Sequence, residues 1–173
     1  TNIAINNATL ALTDSITTNR TMSLLNSATI DTATDSSSIL TNTIGGTGQL
    51  IKTGSGSLTL TGANTYTGGT TINAGKVALD ANAALGTGTA TFANNTELSL
   101  GTSKGVLIAN NVQVVGKVQV HSGIFNSELN GVVSGVGGLV KDGTGSLTLT
   151  GANSYEGGTV VNDGTLAISQ DAN

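Results

Sequence analysis

The sequence predicts an all-β fold, a right-handed parallel β-helix (solenoid) with about three short strands per rung, and three observations predict it. The first is composition: 25 of 173 residues are glycine, none is proline, and charged and aromatic residues supply 9% and 2% of the chain. Leu, Ile, Val and Phe still make up roughly a quarter, above the ~20% below which disorder becomes the default. The second is a recurring theme in which glycine or asparagine precedes a few residues alternating apolar and polar. The third is an internal repeat: residues 44–79 align without a gap with residues 133–168 at an offset of 89, and more than half of the pairs are identical.

The strands are read in order as GQLIK from Gly48, GSLTLTG from Gly56, GKVALD from Gly75, GTATFAN from Gly88, TELSLG from Thr96, GKVQVHSG from Gly116, GGLVKDG from Gly137 and GTLAIS from Gly164. In SLTL the side chains alternate faces, so Leu58 and Leu60 share one side and Thr59 and Thr61 the other. Only leucines inward and threonines outward buries the apolar set. Residues 1–43 and 80–132 follow the theme more loosely, and no stretch shows helical spacing long enough for a helix. Strands recurring about every 9 residues, three to a coil, give rungs of about 20–25 residues and make the offset roughly four rungs. A sandwich would use wider strands and more aromatic anchors. The NG at Asn130 and NDG at Asn162 leave antiparallel hairpins open at this level. The whole of 1–173 is read as one segment.

A net charge of −4 and six scattered cations exclude the clustered Lys and Arg that nucleic-acid binding requires. The longest apolar run falls far short of the ~20 residues of a membrane helix. The start TNIAINNATL has no initiator Met, basic region or apolar core, so the chain is expected to be an excised piece of a longer protein.

With these residues in view, GQLIKTGSGSLTLTGANTYTGGTTINAGKVAL and GGLVKDGTGSLTLTGANSYEGGTVVNDGTLAI resemble the autotransporter-associated β-strand repeat, also called the passenger-associated transport repeat. That family sits in passenger domains of Gram-negative type V autotransporters. Lys52, Gly54, Gly56, Leu58, Leu60, Gly62, Asn64, Tyr66, Gly68, Gly69, Thr70 and Gly75 fall where the family's pattern places them. So do Lys141, Gly143, Gly145, Leu147, Leu149, Gly151, Asn153, Tyr155, Gly157, Gly158, Thr159 and Gly164. The resemblance implies a parallel β-helix exported through an outer-membrane translocator domain of the same polypeptide. It implies a secreted or cell-surface location, and repeats that aid folding and transport rather than catalysis. The absence of cysteine suits a chain that crosses a narrow pore unfolded.

No cofactor and no catalytic or metal site is expected. His121 beside Ser122 lacks a G-x-S-x-G elbow, and His121 shares its strand face with Gln119, away from Val118 and Val120. A β-helical polysaccharide lyase or hydrolase would have to draw on Asp31, Asp35 and Arg20, which lie in polar, turn-like sequence. GGTGQL opens like a calcium-binding nonapeptide but carries Gln49 where Asp is required. No phosphate-loop motif appears, and TLT recurs too sparsely for an ice-binding array. Asn64 and Asn153 are expected to satisfy backbone groups at corners, by stacked amides, and Tyr66 and Tyr155 to pack corners. The reading is a structural stalk of a passenger. The rival is an adhesive surface that binds itself, a host or a neighbouring cell. Its end rungs, with no helical or charged cap in TNIAINN or SQDAN, are expected to associate end to end.

Overall fold

The computed structural model describes residues 2–101 and 103–170. Thr1 and the last three residues of SQDAN, on which the reading of uncapped ends partly rests, lie outside them. The described chain contains strands, turns and bends and no helix. The first coil carries β1 (Ile3–Ile5), β2 (Ala8–Leu12) and β3 (Thr17–Thr18), and the second β4 (Met22–Leu24), β5 (Ser27–Thr32) and β6 (Ser37–Leu40). The third carries β7 (Ile44–Gly46), β8 (Gln49–Thr53) and β9 (Ser57–Leu60). Then come β10 (Thr70–Ile72), β11 (Lys76–Leu79), β12 (Ala90–Phe92), β13 (Thr96–Leu100) and β14 (Leu107–Ile108). They are followed by β15 (Val112–Val114), β16 (Lys117–His121), β17 (Ser127–Leu129) and β18 (Val133–Ser134). The last four are β19 (Gly138–Asp142), β20 (Ser146–Leu149), β21 (Thr159–Val161) and β22 (Thr165–Ile168).

Every strand pairs in parallel with the strand one coil away, which makes a three-faced solenoid of about eight turns. One face is the seven-stranded sheet from β2 to β18, and the next the eight-stranded sheet from β3 to β21. The third face is built in two blocks, β1-β4-β7 and β14-β17-β20-β22, with residues 61–69 and 80–89 crossing between them as loops. Backbone bonds from Thr65 N to Ile44 O and from Thr87 N to Tyr66 O carry the columns across that gap. The NG at Asn130 makes no hairpin, since β17 and β18 lie on different faces.

The period-two alternation selects what enters the core. Leu58 and Leu60 are buried while Thr59 and Thr61 are half-buried on the outer side. Because register is kept from coil to coil, buried residues stack: Ser38, Leu58, Val77, Leu98 and Val120 form one inward column of the eight-stranded sheet. Neighbouring strands in a sheet lie about 4.8 Å apart, so each side chain rests on the one below, and each fully buried Leu, Ile or Val contributes roughly 1.5–3 kcal/mol.

The repeat does not close on a whole number of turns. From β8 the seven-stranded sheet rises by four steps, through β10, β12 and β15 to β18, and β19 then lies around the next corner on the eight-stranded sheet. The second copy is therefore four and one-third turns along, turned by one face of the prism. Coils are shorter than the upper end of the sequence estimate: Ile3 pairs with Met22, nineteen residues on, and Ser27 with Gln49, twenty-two on.

Candidate functional site: the two repeat corners

In β8, Lys52 follows Leu50 by two residues, so alternation sends both side chains inward, and Lys52 is fully buried. Its strand neighbours in the column are Ile30 below and Ile72 above. The stem lies among apolar side chains, and the ammonium ends at a corner where three carbonyls meet it. Lys52 Nζ donates to Thr53 O at 2.8 Å, Gly54 O at 2.7 Å and, from the next coil, Ala74 O at 3.1 Å. Gly54 has a φ of +74°, and a Cβ there would lie 2.0 Å from Thr32 O, so only glycine fits at this corner. Burial lowers the Lys52 pKa from its ordinary 10.5 to about 8, with Asp31 pulling the other way.

The second copy repeats the clasp. Lys141 is fully buried, stacks on Val120, and donates to Asp142 O at 2.9 Å, Gly143 O at 2.6 Å and Asp163 O at 3.2 Å. Its pKa is likewise lowered by burial, against the carboxylates of Asp163 and Asp142. Three N–H donors face three carbonyls in each copy, so the clasp uses the full donor set of an ammonium. Sequence reasoning placed these two lysines in the repeat pattern and counted them among six scattered cations, without assigning them to the core. The signal was present in the two-residue spacing from Leu50 to Lys52 and from Leu139 to Lys141.

Asn64 is buried and ties three coils together: Oδ1 accepts from Ile44 N at 2.8 Å and Nδ2 donates to Ala84 O at 2.6 Å. Both bonds run from the side chain to backbone groups of the neighbouring coils. Tyr66 is fully buried, its hydroxyl 2.6 Å from Thr70 Oγ1, which in turn donates to Leu85 O at 3.1 Å. In the second copy Asn153 Oδ1 accepts from Val133 N at 2.8 Å, and Tyr155 pairs with Thr159 through their hydroxyls. Tyr155 is only half-buried, and Asn153 Nδ2 is buried without a hydrogen-bond partner.

The residues singled out for chemistry are placed as follows. His121 is half-buried on the outer face beside Asp142, whose carboxylate accepts from Gln119 Nε2 at 3.2 Å and Asn162 Nδ2 at 3.0 Å. Ser122 points the other way: it is fully buried and its hydroxyl donates to Gly145 O at 3.1 Å. Asp31 accepts from Thr53 Oγ1 at 2.6 Å, and Asp35 is exposed in a turn with a φ of +61°. Arg20 is exposed and lines a shallow polar recess with Asn19, Thr21 and Asn42, which neither aspartate enters. Among the described residues no group of three or more His, Cys, Asp or Glu is arranged to hold a metal ion, and no helix is long and apolar enough to cross a membrane.

Comparison with known proteins matches two stretches of the sequence to a repeat family. The profile described as Passenger-associated-transport-repeat matches residues 50–79 and 139–168. Over 184 aligned residues the chain is 33% identical to the adhesin BmaC autotransporter of Brucella suis biovar 1 (strain 1330). That alignment covers 97% of this chain and 5% of the relative, so the chain spans a small fraction of the relative's length. No solved structure matches with significance.

Proposed function

The chain carries two passenger-associated transport repeats of the autotransporter passenger family, and from that premise we propose that residues 1–173 are one continuous stalk segment of a secreted or surface-displayed passenger. The segment is non-enzymatic and supplies reach and rigidity to an adhesin or effector. The outer-membrane translocator that exports it belongs to the same polypeptide.

One observation carries this reading. The side chains that define the repeat are used inside the solenoid: Lys52 and Lys141 clasp carbonyls, Asn64 bridges three coils, and Tyr66 is buried. A motif selected for ligand contact would present those groups to solvent. A motif selected for folding after export would place them as they are found, each joining a coil to the one that follows it.

A second reading has a specific observation in its favour: the relative named above is an adhesin, and the outer faces here are rows of Thr, Ser, Gln and Asn suited to polar contact. The two separate on cells displaying the full passenger with Thr59→Lys, Gln113→Lys and Gln119→Lys on the outer faces. A stalk keeps both its surface level and its adhesion. Adhesion lost at an unchanged surface level would make this segment the binding surface and overturn the stalk.

A further inference from the structure

Asn130 alone among the asparagines is followed by glycine, and the fold does not spend the pair on a hairpin. It lies instead at the corner between β17 and β18, where the third face turns into the seven-stranded sheet. Asn130 is exposed, and its backbone is held in the ladder by the bond from Asn130 N to Ile108 O at 2.8 Å. Gly131 is demanded by packing, because a Cβ there would sit 2.1 Å from Asn110 O and 2.4 Å from Asn110 C, both backbone atoms. The same demand leaves the nitrogen that follows Asn130 with no side chain to shield it. Among the described residues Gly131 N and Asn130 Nδ2 donate to no acceptor. Asn130 Oδ1 accepts from Thr150 Oγ1 at 3.1 Å, which draws electron density away from the amide carbon.

Other positions where the same chemistry could start are held differently. Asn26 precedes Ser27, whose N donates to Asn7 Oδ1 at 3.3 Å, and Asn126 precedes Ser127, which is buried in β17. Asp142 and Asp163 precede glycine but carry carboxylates, which are poorer electrophiles than a carboxamide. Asparagine is a chemically labile side chain in general, and the fold exposes one copy of its most reactive dipeptide.

We infer that Asn130–Gly131 is a site of spontaneous modification in the folded protein. Solvent base removes the proton of Gly131 N, and that nitrogen forms a bond to Asn130 Cγ. The Cγ–Nδ2 bond breaks, and ammonia departs carrying a proton from solvent, which leaves a five-membered succinimide ring. Water then opens the ring. Cleavage at Cγ gives aspartate on an unchanged backbone, and cleavage at the backbone carbonyl gives isoaspartate, in which the chain runs through the side-chain carbons. The sum consumes one water and releases one ammonia, with no oxidation or reduction. Either product sets a carboxylate beside Glu128, since Thr150 Oγ1 lies 3.1 Å from Glu128 Oε1 as well as from Asn130 Oδ1, and two like charges then compete for one hydroxyl proton. Isoaspartate also lengthens the backbone by one atom between the ladder bond at Asn130 N and the bond from Val132 N to Asn111 Oδ1 at 3.1 Å, just ahead of β18. The site behaves this way whether the passenger is a stalk or an adhesive surface.

The test incubates the folded 173-residue chain at physiological temperature and follows the peptide between Lys117 and Lys141 by mass spectrometry, with Asn126 in the same peptide as the reference. A mass gain of about 1 Da is expected at Asn130, at least about tenfold faster than at Asn126. The rate is expected to rise with pH, because the attacking nitrogen must lose its proton. An isoaspartyl peptide should separate chromatographically from the aspartyl one. The aged protein should melt below the fresh one, with Asn130→Asp, which carries the charge on a normal backbone, between them. Asn130→Gln should fold as the parent does and lose the gain at this position. Reaction through global unfolding would run at least about a thousandfold slower than in the urea-unfolded chain, whereas reaction in the native state is expected within about a hundredfold of it. A folded-state rate below that limit, a rate no greater than that of Asn126, or a mass gain in this peptide undiminished by Asn130→Gln overturns the inference.

Discussion

A lysine ammonium inside a narrow apolar core is costly unless every proton finds an acceptor, and Lys52 and Lys141 each find three. Replacing one with an apolar side chain of similar volume therefore exchanges a desolvated charge for two carbonyls left without a donor, Gly54 O and Ala74 O or Gly143 O and Asp163 O, while Thr53 O keeps Thr32 Oγ1 and Asp142 O keeps Ser122 N. We expect the two orphaned carbonyls to dominate, since one belongs to the corner that sets the next strand and one to the following coil. Lys52→Met should destabilise by about 2–4 kcal/mol in urea unfolding, and a midpoint equal to or above that of the parent would contradict the clasp. The lowered pKa adds a pH signature. With the folded value about 8 and the ordinary value 10.5, the unfolded chain holds more protons across that interval, so stability rises as pH increases through it. Burial raises the Tyr66 pKa and acts oppositely once unfolded tyrosine ionises near 10, so the gain is to be read between about pH 8 and 9.5. Lys52→Met should remove part of that gain, the remainder coming from Lys141, whose shift has the same sign. A gain undiminished in the variant would assign the effect elsewhere.

At the scale of the element, the strand SLTL states its own geometry twice. Leu58 and Leu147 are fully buried and their threonine neighbours are not. Leu58→Asp places a carboxylate between Ser38 and Val77 in the inward column and should cost at least the ~2–5 kcal/mol of a core leucine truncation. Thr59→Asp, on the outer side, should shift the midpoint by well under half as much. Equal midpoints would mean that the faces are assigned wrongly. Strands of four or five residues such as β8, β9, β16 and β20 were legible because alternation needs that length to declare itself. β14 and β18, two residues each, were not, since a pair of residues carries no period. The crossings at 61–69 and 80–89 were hidden for a different reason: Asn64 and Thr70 tie them by side-chain bonds between coils, and such contacts leave no periodic trace.

For the whole molecule, the parallel solenoid was legible from the spacing of glycines and strands, while the turn count of the repeat was not. An offset of 89 residues reads as about four rungs when coil length is known only loosely. With coils of nineteen to twenty-two residues it becomes four and one-third, and the extra third sends β19 and β20 to faces other than those of β8 and β9. The two copies tolerate this because every face offers inward positions that are mostly apolar. The placement of the candidate site was legible in part: the repeat residues were identified by position, and the burial of their lysines followed from a phase that was there to be read. The central claim is that the repeat is architecture, each copy holding its own coil to the next and indifferent to which face it occupies. Its most direct measurement is equilibrium urea unfolding of two internal deletions. Removing residues 53–141 joins Lys52 to Asp142 at the natural offset and is predicted to leave a shorter solenoid that unfolds in a single cooperative transition. Removing residues 53–140 instead joins Lys52 to Lys141, reverses the inward and outward sets beyond the junction, and is predicted to lower the midpoint sharply or abolish the transition. Failure of the first deletion to fold, or equal midpoints for the two, would contradict the account.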